Sequence, residues 1–301
     1  MKKVEGAVPR SIEELRNVLL QATPGTRFVA GGTDLTIQLG KMDREPSRLV
    51  ALNHVTEMNR ICLEKDSVWI GGNATFADLS SHTAVRKHVR ALSVAASKVG
   101  SPQIRNRATL AGNIANASPC ADSIAPLLIY DASVQVLNGQ GFVRNLDVLD
   151  VVVGPDSNSL SYNEVIYGLK IPLKPQRFRS HFVKLGAKKS VTVAKIGMAL
   201  GFERDAESGT VRNPKIALSA VGKTARRFDR IESLLEHRSL DSRLLTDFAE
   251  ALSQEIELSI KERPSMPYKR EAVKGLAMDI LSYWTDLQSE ERGYPGFQVS
   301  P

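Results

Sequence analysis

The sequence predicts an α+β protein, and three observations support this fold class. The chain has 301 residues, of which 42% are hydrophobic and 24% charged, so its composition is ordinary for a globular protein with a sizeable core. A short strand that runs into a Gly-Gly pair occurs twice, at Gly31 and at Gly71. Farther along, strands between residues 180 and 221 precede helical patterns, and this order is typical of an α+β unit.

The first predicted unit is a small lobe over residues 1–55, called lobe 1 below. Ser11 followed by Glu14 forms a capping box, which predicts a helix with its apolar residues on one face. After a Pro-Gly turn, residues 27–30 are predicted to form a short strand. A second strand over 48–52 completes the lobe.

The second predicted unit, lobe 2, covers residues 56–175. A strand over 67–70 runs into the second Gly-Gly pair, and Thr75 is placed to cap the helix that follows. Apolar residues alternate with other residues from Val165 to Ile171, which predicts a further strand.

The third predicted unit is an α+β domain over residues 178–288, called the C-terminal domain. A proline-containing and basic segment, 172–179, is the predicted linker before it. Apolar residues at helical spacing predict a last helix over 269–284, and residues 289–301 are expected to form an irregular tail. The predicted strands of this domain are 180–185, 193–202 and 216–221.

Charge and hydropathy exclude several classes of function. Lysine and arginine number 40 against 33 acidic residues, but they are interspersed with acids, as in Lys261-Glu262-Arg263, so no nucleic-acid-binding stripe is indicated. No apolar run reaches the ~18 residues of a membrane span, and the first residues lack the apolar stretch of a signal peptide. We therefore expect a cytoplasmic protein that binds neither nucleic acid nor membrane.

Metal, hydrolytic and nucleotide-hydrolysing sites are not indicated either. The 2 cysteines cannot form a four-cysteine iron–sulfur site, and the 5 histidines show no metal-ligand spacing. Residues 217–224 resemble a P-loop, but Ala217 replaces its first glycine. A G-x-G-x-x-G motif is absent, so a Rossmann site is unsupported. We assign no catalytic residue and no metal ligand.

Gly31-Gly32-Thr33-Asp34 is the first candidate binding segment. Two glycines at a strand end let the backbone approach a ligand closely, and the N–H groups of such a segment can form an anion-binding nest. A plain strand-to-helix turn is the alternative, and for an isolated Gly-Gly pair it is the commoner one.

The second candidate lies in a polar stretch, 103–122, that we expect to be a long loop. Its small and amide residues suit the pyrophosphate and sugars of a nucleotide, and long loops without secondary structure are usually functional. An Ω-loop filled by its own side chains is an equally good interpretation. Arg105 and Arg107 flank the candidate, and they either screen phosphate charge or are simply solvated.

Three segments together resemble a known family: Ala30-Gly31-Gly32-Thr33-Asp34-Leu35, Ile104-Arg105-Asn106 and the run 109–119. They are similar to the FAD-binding medium subunit of the molybdenum hydroxylases, which include xanthine, carbon monoxide and nicotinate dehydrogenases. The resemblance covers nearly the whole chain. It implies a PCMH-type, vanillyl-alcohol oxidase/MurB-like FAD-binding fold of two lobes. It also implies a C-terminal α+β domain of the carbon monoxide dehydrogenase flavoprotein type.

The resemblance also implies which residues contact a non-covalently bound FAD. Thr109, Gly112 and Asn113 would form a second phosphate-binding loop, and Asp122 would hold ribityl or ribose hydroxyls. Ile166 and Lys184 match apolar and basic contacts near the flavin. The family often has glycine at the position of Ala111, so a methyl group there is a departure. The residues implied to wrap the pyrophosphate are Phe28, Val29, Ala30, Gly31, Gly32, Thr33, Asp34 and Leu35, the last near the flavin face.

Partner subunits follow from the same resemblance. The molybdopterin cofactor would lie on a molybdenum-binding large subunit and the [2Fe–2S] clusters on a small subunit, with electrons passing through FAD to NAD or another acceptor. Two alternatives stay open. One is a stand-alone FAD-dependent oxidase of the same fold, for which the C-terminal part is short. The other is a nucleotide-binding module without redox activity, which would be colourless when purified.

Overall fold

A computed structural model describes residues 4–41, 45–187, 192–205 and 207–291, the last seven of them by backbone alone. Lobe 1 contains a three-stranded parallel sheet in the order β1-β3-β2. Its elements are β1 (Glu5–Ala7), α1 (Ile12–Leu20), β2 (Thr26–Val29), α2 (Leu35–Leu39) and β3 (Arg48–Ala51).

The predicted first helix is confirmed as α1. Ser11 Oγ accepts a hydrogen bond from the Glu14 N–H at 3.2 Å, which satisfies one of the unpaired donors of the first turn. Leu15 and Leu19 are fully buried on the inner face of α1, where they join a cluster with Val50 of β3. Leu137 of lobe 2 belongs to the same cluster, so the two lobes share apolar contacts.

Lobe 2 is built on a five-stranded antiparallel sheet in the order β4-β5-β10-β6-β7, with helices on one face. Phe76 and Leu92 of the helices pack against apolar sheet residues such as Leu169. The predicted cap at Thr75 is confirmed as a complete capping box with Asp78. The elements of lobe 2 are β4 (Ile61–Leu63), β5 (Ser67–Gly71), α3 (Phe76–Ser81), α4 (Thr83–His88), α5 (Arg90–Ser97), α6 (Pro102–Arg105), α7 (Leu110–Asn116), α8 (Ile124–Ile129), β6 (Ser133–Asn138), β7 (Val143–Asp147), α9 (Val148–Val151), β8 (Val152–Gly154), β9 (Ser157–Asn158) and β10 (Glu164–Pro172).

The expectation of a long loop over 103–122 was wrong, because the segment contains most of α6 and all of α7. Ser101 caps α6 and Thr109 caps α7, each through its hydroxyl oxygen. Small side chains do not prevent helix formation here, because Ala111 and Ile114 are buried against the rest of lobe 2. The chain leaves α7 at Ala117, which has a left-handed φ of 51°.

The C-terminal domain has an antiparallel sheet in the order β11-β12-β13-β14, covered on both faces. Met198 packs with the helices of this domain, whereas its neighbour Ala199 joins the core of lobe 2. Successive residues of a strand point to opposite faces, so the sheet is a layer shared by two cores. The elements of the C-terminal domain are β11 (Phe178–Gly186), β12 (Ala194–Arg204), β13 (Val211–Ser219), β14 (Arg226–Arg227), α10 (Asp229–Leu235), α11 (Ser242–Ile260) and α12 (Met266–Glu291).

Some predicted ends differ from the observed ones. The strand predicted over 216–221 ends at Ser219, because Ala220 adopts a left-handed φ of 63°. The last helix extends to Glu291, so residues 289–291 of the predicted tail are helical, and residues 292–301 lie outside the described part of the chain. The unit boundaries near 55 and 175 stay a prediction. In the described ranges, no helix combines the length and the apolar character needed to cross a bilayer.

Candidate functional site

A cavity of about 420 Å³ opens between lobe 1 and lobe 2, within the size range of small-molecule sites. The end of β2, the following loop, α7 and the segment before β10 line it. The structure therefore brings together residues that are far apart in sequence. The predicted site residues that line the cavity are Phe28, Ala30, Gly31, Gly32, Thr33, Asp34, Leu35, Thr109, Gly112, Asn113 and Ile166.

Three predicted site residues do not line this cavity. Val29 ends β2 and pairs with Ala51 in the sheet of lobe 1. Asp122 and Lys184 are paired with each other instead, between lobe 2 and β11.

The loop after β2 leaves its backbone donors unpaired. Within the described chain, no N–H group from Gly31 to Leu35 has a hydrogen-bond acceptor. Gly32 has a φ of +71°, which glycine adopts without steric cost. A Cβ on Gly32 would meet only Val29 Cγ1, at 3.5 Å, so the space around it is open. This geometry is that of an anion-binding nest.

Gly31 has a different role from Gly32. A Cβ on Gly31 would overlap the carbonyl oxygen of Arg107, so glycine is needed for the close packing of lobe 1 on lobe 2. Asp34 precedes α2 but makes no side-chain cap to it. Its Oδ2 instead accepts a hydrogen bond from Gln38 Nε2 at 2.5 Å. The N–H group of Leu35, the first residue of α2, therefore stays available, whereas those of Thr36 and Ile37 donate to Gly32 O and Asp34 O.

The first turn of α7 is already hydrogen-bonded. Its N–H groups donate to Ala74 O at 3.0 Å, to Gly72 O at 3.2 Å and, from Gly112, to Thr109 Oγ1 at 3.1 Å. The helix therefore offers the cavity side chains rather than free backbone donors. Ala111 lies inside α7 and is absent from the positive-φ residues, so its methyl group is accommodated without strain.

Arg105 is held by the backbone. Its Nη1 donates to Val99 O at 3.1 Å and to Gly100 O at 3.0 Å. These carbonyls belong to the turn after α5, so the guanidinium ties that turn to α6. Of the two interpretations of Arg105 as phosphate-screening or solvated, the structure thus supports neither.

Asp122 and Lys184 form a buried ion pair. Lys184 Nζ lies 2.5 Å from Asp122 Oδ2, and the two side chains are only 6% and 7% exposed. Burial raises the pKa of Asp122 to about 6, although the charge of Lys184 opposes this rise. Asp122 Oδ1 has no hydrogen-bond partner among the described residues. Next to it, Ser123 Oγ donates to Oδ1 of the cavity-lining Asn113 at 2.6 Å, which connects the pair to the cavity.

Further cavity residues were missing from the predicted site. Asn73 donates through Nδ2 to Leu52 O at 2.7 Å, and its buried Oδ1 has no partner in the described chain. The sequence signal for Asn73 was its place directly after the second Gly-Gly pair. Gln38 lies one helical turn after Asp34, a spacing that would have pointed to it had α2 been recognised. The further lining residues include Gln38, Leu52, Met58, Asn73, Asn116, Asn158, Leu160 and Tyr162.

The polar groups of the site fit FAD. A dinucleotide carries phosphates, which bind unpaired N–H donors, and it carries hydroxyl and amine donors, which bind free acceptors. The described residues that line the cavity offer both: donors at 31–35 and the unpartnered acceptor on Asn73. They contain no group of three or more histidine, cysteine, aspartate or glutamate side chains that could hold a metal ion.

Comparisons with known proteins agree on one family. Residues 2–174 match the family described as FAD binding domain in molybdopterin dehydrogenase, and residues 183–283 match the CO dehydrogenase flavoprotein C-terminal domain. The predicted fold class is thereby confirmed. The chain is 29% identical to the nicotinate dehydrogenase FAD-subunit of Eubacterium barkeri, over 93% of this chain and 97% of that protein.

Two further similarities cover most of the chain. It is 29% identical to the xanthine dehydrogenase FAD-binding subunit of Escherichia coli O157:H7, over 88% of this chain and 90% of the other. A solved structure of carbon monoxide dehydrogenase from Hydrogenophaga pseudoflava superposes with a TM-score of 0.83 at 26% identity, covering 93% of this chain and 96% of that one. The resemblance found in the sequence is confirmed.

Proposed function

Because the chain belongs to the family of FAD-binding domains of molybdopterin dehydrogenases, we propose that it is the flavoprotein subunit of a molybdopterin-dependent dehydrogenase complex. The observation that carries this proposal is the nest at 31–35, whose N–H groups lack acceptors in the described chain and border the cavity. Such a nest binds phosphate oxygens, as the pyrophosphate of FAD requires.

The remaining site residues have supporting roles in this proposal. Thr109 and Asn113 present a hydroxyl and an amide along the cavity, and Gly112 keeps α7 free of a side chain there. Asp122 does not line the cavity, but its unpartnered Oδ1 would accept a hydrogen bond from a sugar hydroxyl of FAD. Ile166 supplies an apolar wall, and Lys184 places a cation beside Asp122. These residues bind and orient the cofactor, which itself supplies the redox chemistry.

The complex would contain a molybdenum-binding large subunit and a [2Fe–2S] small subunit. Both named relatives are described as subunits, which supports an assembly of several chains. Electrons from a substrate oxidised at the molybdenum subunit would pass through the clusters and FAD to NAD or another acceptor. A stable interface of this kind usually buries ~1,000 Å² or more, so part of the surface of this chain would be covered in the complex.

The test begins with the cofactor. The purified chain, reconstituted if necessary, should show a flavin spectrum, and acid should release FAD, identified by chromatography. No histidine or cysteine lies among the residues that line the cavity, so we expect non-covalent binding. Release of FMN, a flavin that stays on the chain, or a chain that binds no flavin would contradict the proposal.

The second half of the test concerns the complex. The chain alone should accept electrons from dithionite but show no turnover with xanthine, nicotinate or aldehydes. Co-expression with molybdenum-binding and [2Fe–2S] subunits should give a hetero-oligomer that oxidises an organic substrate. Turnover by the isolated flavoprotein would instead favour the stand-alone oxidase.

A further inference from the structure

Helix α2 carries one end of the nest, yet it has little apolar anchoring. None of its five residues is buried, and Ile37 is 59% exposed. Thr36 bonds through its N–H and its hydroxyl to Gly32 O, so these contacts tie the helix only to its own loop. A short helix without buried side chains has small packing energy holding it in place. Its position over the cavity must depend on other contacts.

Among the described residues, a single side-chain hydrogen bond joins α2 to lobe 2. Gln38 Nε2 donates to Asn116 Oδ1 at 2.9 Å, across the gap between α2 and the last residue of α7. Both residues line the cavity. In the described part of the chain, no other side-chain hydrogen bond or ion pair connects α2 with lobe 2.

Asp34 orients the amide of Gln38 toward Asn116. A glutamine amide has two N–H donors. One donates to Asp34 Oδ2 at 2.5 Å, which leaves the other for Asn116. Gln38 is thus held from its own lobe while it reaches across to the other lobe. The three side chains form a continuous polar bridge from the nest to α7.

We propose that Gln38 and Asn116 form a clasp that keeps α2 closed over the cavity and slows the release of FAD. The inference rests on the proposed function, since it assigns the clasp to the same cofactor. Gln38 and Asn116 are positioning residues here, because they act through α2 rather than by chemistry. For FAD to leave through this side, the Nε2–Oδ1 bond must open, and α2 has no buried side chain to resist the movement that follows.

The clasp predicts a kinetic effect. A neutral hydrogen bond contributes ~1 kcal/mol net, which corresponds to about a fivefold change in rate when it must break before release. Removing it should speed FAD dissociation about 2- to 10-fold while changing the association rate less. Folding stability should change little, because the bond lies at the partly exposed edge of the cavity.

The experiment uses the full chain loaded with FAD, and release is followed by flavin fluorescence after dilution. Gln38→Leu and Asn116→Leu should each release FAD faster. The double variant should release it no faster than Gln38→Leu, because Asn116→Leu then removes no further bond of the clasp. The exchange Gln38→Asn with Asn116→Gln keeps the summed length of the two side chains and should restore slow release. Gln135→Leu is the matched control, since Gln135 bonds to Trp69 and Asn145 outside the cavity.

The outcomes separate the two proposals. A wild-type chain that binds no FAD overturns the proposed function and the clasp with it. A wild-type chain that binds FAD, with variants that release it at the wild-type rate, overturns the clasp alone. Rate increases that multiply in the double variant also overturn it, because the two side chains would then act independently. Urea unfolding of each variant shows whether a faster release reflects the clasp or a general loss of stability.

Discussion

The two glycine segments that line the cavity differ in what their backbone leaves unpaired. From Gly31 to Leu35, no N–H group finds an acceptor within the described chain. In the first turn of α7, the N–H groups bond to Ala74 O, Gly72 O and Thr109 Oγ1. The first segment is open to an anion, whereas the second is already satisfied by the protein.

The residue in front of each helix explains the difference. Thr109 has extended backbone angles, and its hydroxyl accepts a bond from Gly112. Asp34 has helical angles, and its carboxylate bonds to Gln38 instead of the backbone. A side chain that caps its helix removes the donors that a ligand would use. A glycine-rich pattern therefore predicts close approach of the backbone, but the neighbouring side chain decides whether donors are free.

The largest expected effect is at Gly32. Gly32→Val forces a β-branched residue into a left-handed conformation, which costs about 1–3 kcal/mol, and places methyl groups over the nest. We expect FAD affinity to fall at least about 100-fold, since each 1.4 kcal/mol is a factor of ten. Titration of the apo chain with FAD measures it.

Gly40→Val is the matched control for that variant. Gly40 has a φ of −69° at the other end of α2, and among the described residues a Cβ there would meet only Ile37 O, at 3.6 Å. Its affinity should stay close to that of the wild type. Equal losses in the two variants would mean that the nest does not bind the cofactor.

The next effect is a pH dependence of the free energy of unfolding, and it comes from Asp122 in the segment after α7. The pKa of Asp122 is about 6 in the folded protein against the ordinary aspartate value of 3.8, so between these values the folded state binds the proton more tightly. The contribution of this group to the free energy of unfolding is therefore present at low pH and lost as pH rises through about 6. We expect a loss of ~2 kcal/mol between pH 4 and pH 7.

Urea unfolding of the wild type and of the double variant Asp122→Asn/Lys184→Met isolates this effect. The double variant has no titrating group at the pair, so other carboxylates and histidines cancel in the difference. The stability of the wild type relative to this variant should fall from pH 4 to pH 7. A constant or rising difference would show that burial does not dominate at Asp122.

The smallest effect is expected at Gly112. Gly112→Val adds a Cβ 2.9 Å from Thr109 Oγ1, but it removes no free donor, because the Gly112 N–H is already paired. We expect a roughly tenfold loss of FAD affinity, about 1.4 kcal/mol, from crowding alone. The same FAD titration compares it with Gly32→Val. If the Gly112 variant lost more affinity than the Gly32 variant, α7 and not the nest would be the main phosphate site.

Local patterns predicted much of this molecule. Ser11 and Thr75 predicted the starts of α1 and α3, because a capping residue bonds to the backbone within four positions of sequence. The alternation from Val165 to Ile171 likewise predicted a strand, now observed as β10. The sequence also identified residues on both sides of the cavity, namely Gly32 in the loop after β2 and Thr109 before α7.

Local sequence patterns could not predict contacts between residues that are far apart in the chain. α7 was missed because its small side chains carry no periodic signal, and its burial depends on packing against lobe 2. Asp122 and Lys184 were expected at the cofactor, but nothing in either segment shows that they bond to each other. Gln38 was missed for the same reason, since its partner Asn116 comes from the other lobe.

The sheet shared by two cores has a consequence for how the chain can be divided. Family boundaries separate residues 2–174 from residues 183–283. Phe182 and Ala199 nevertheless complete the core of lobe 2, and the hydroxyls of Tyr130 and Ser180 meet at 2.5 Å in its interior. A fragment cut near residue 175 would expose an apolar face of helices α5 and α8 and tend to aggregate. We therefore expect the two matched regions of this chain to unfold together as one cooperative unit.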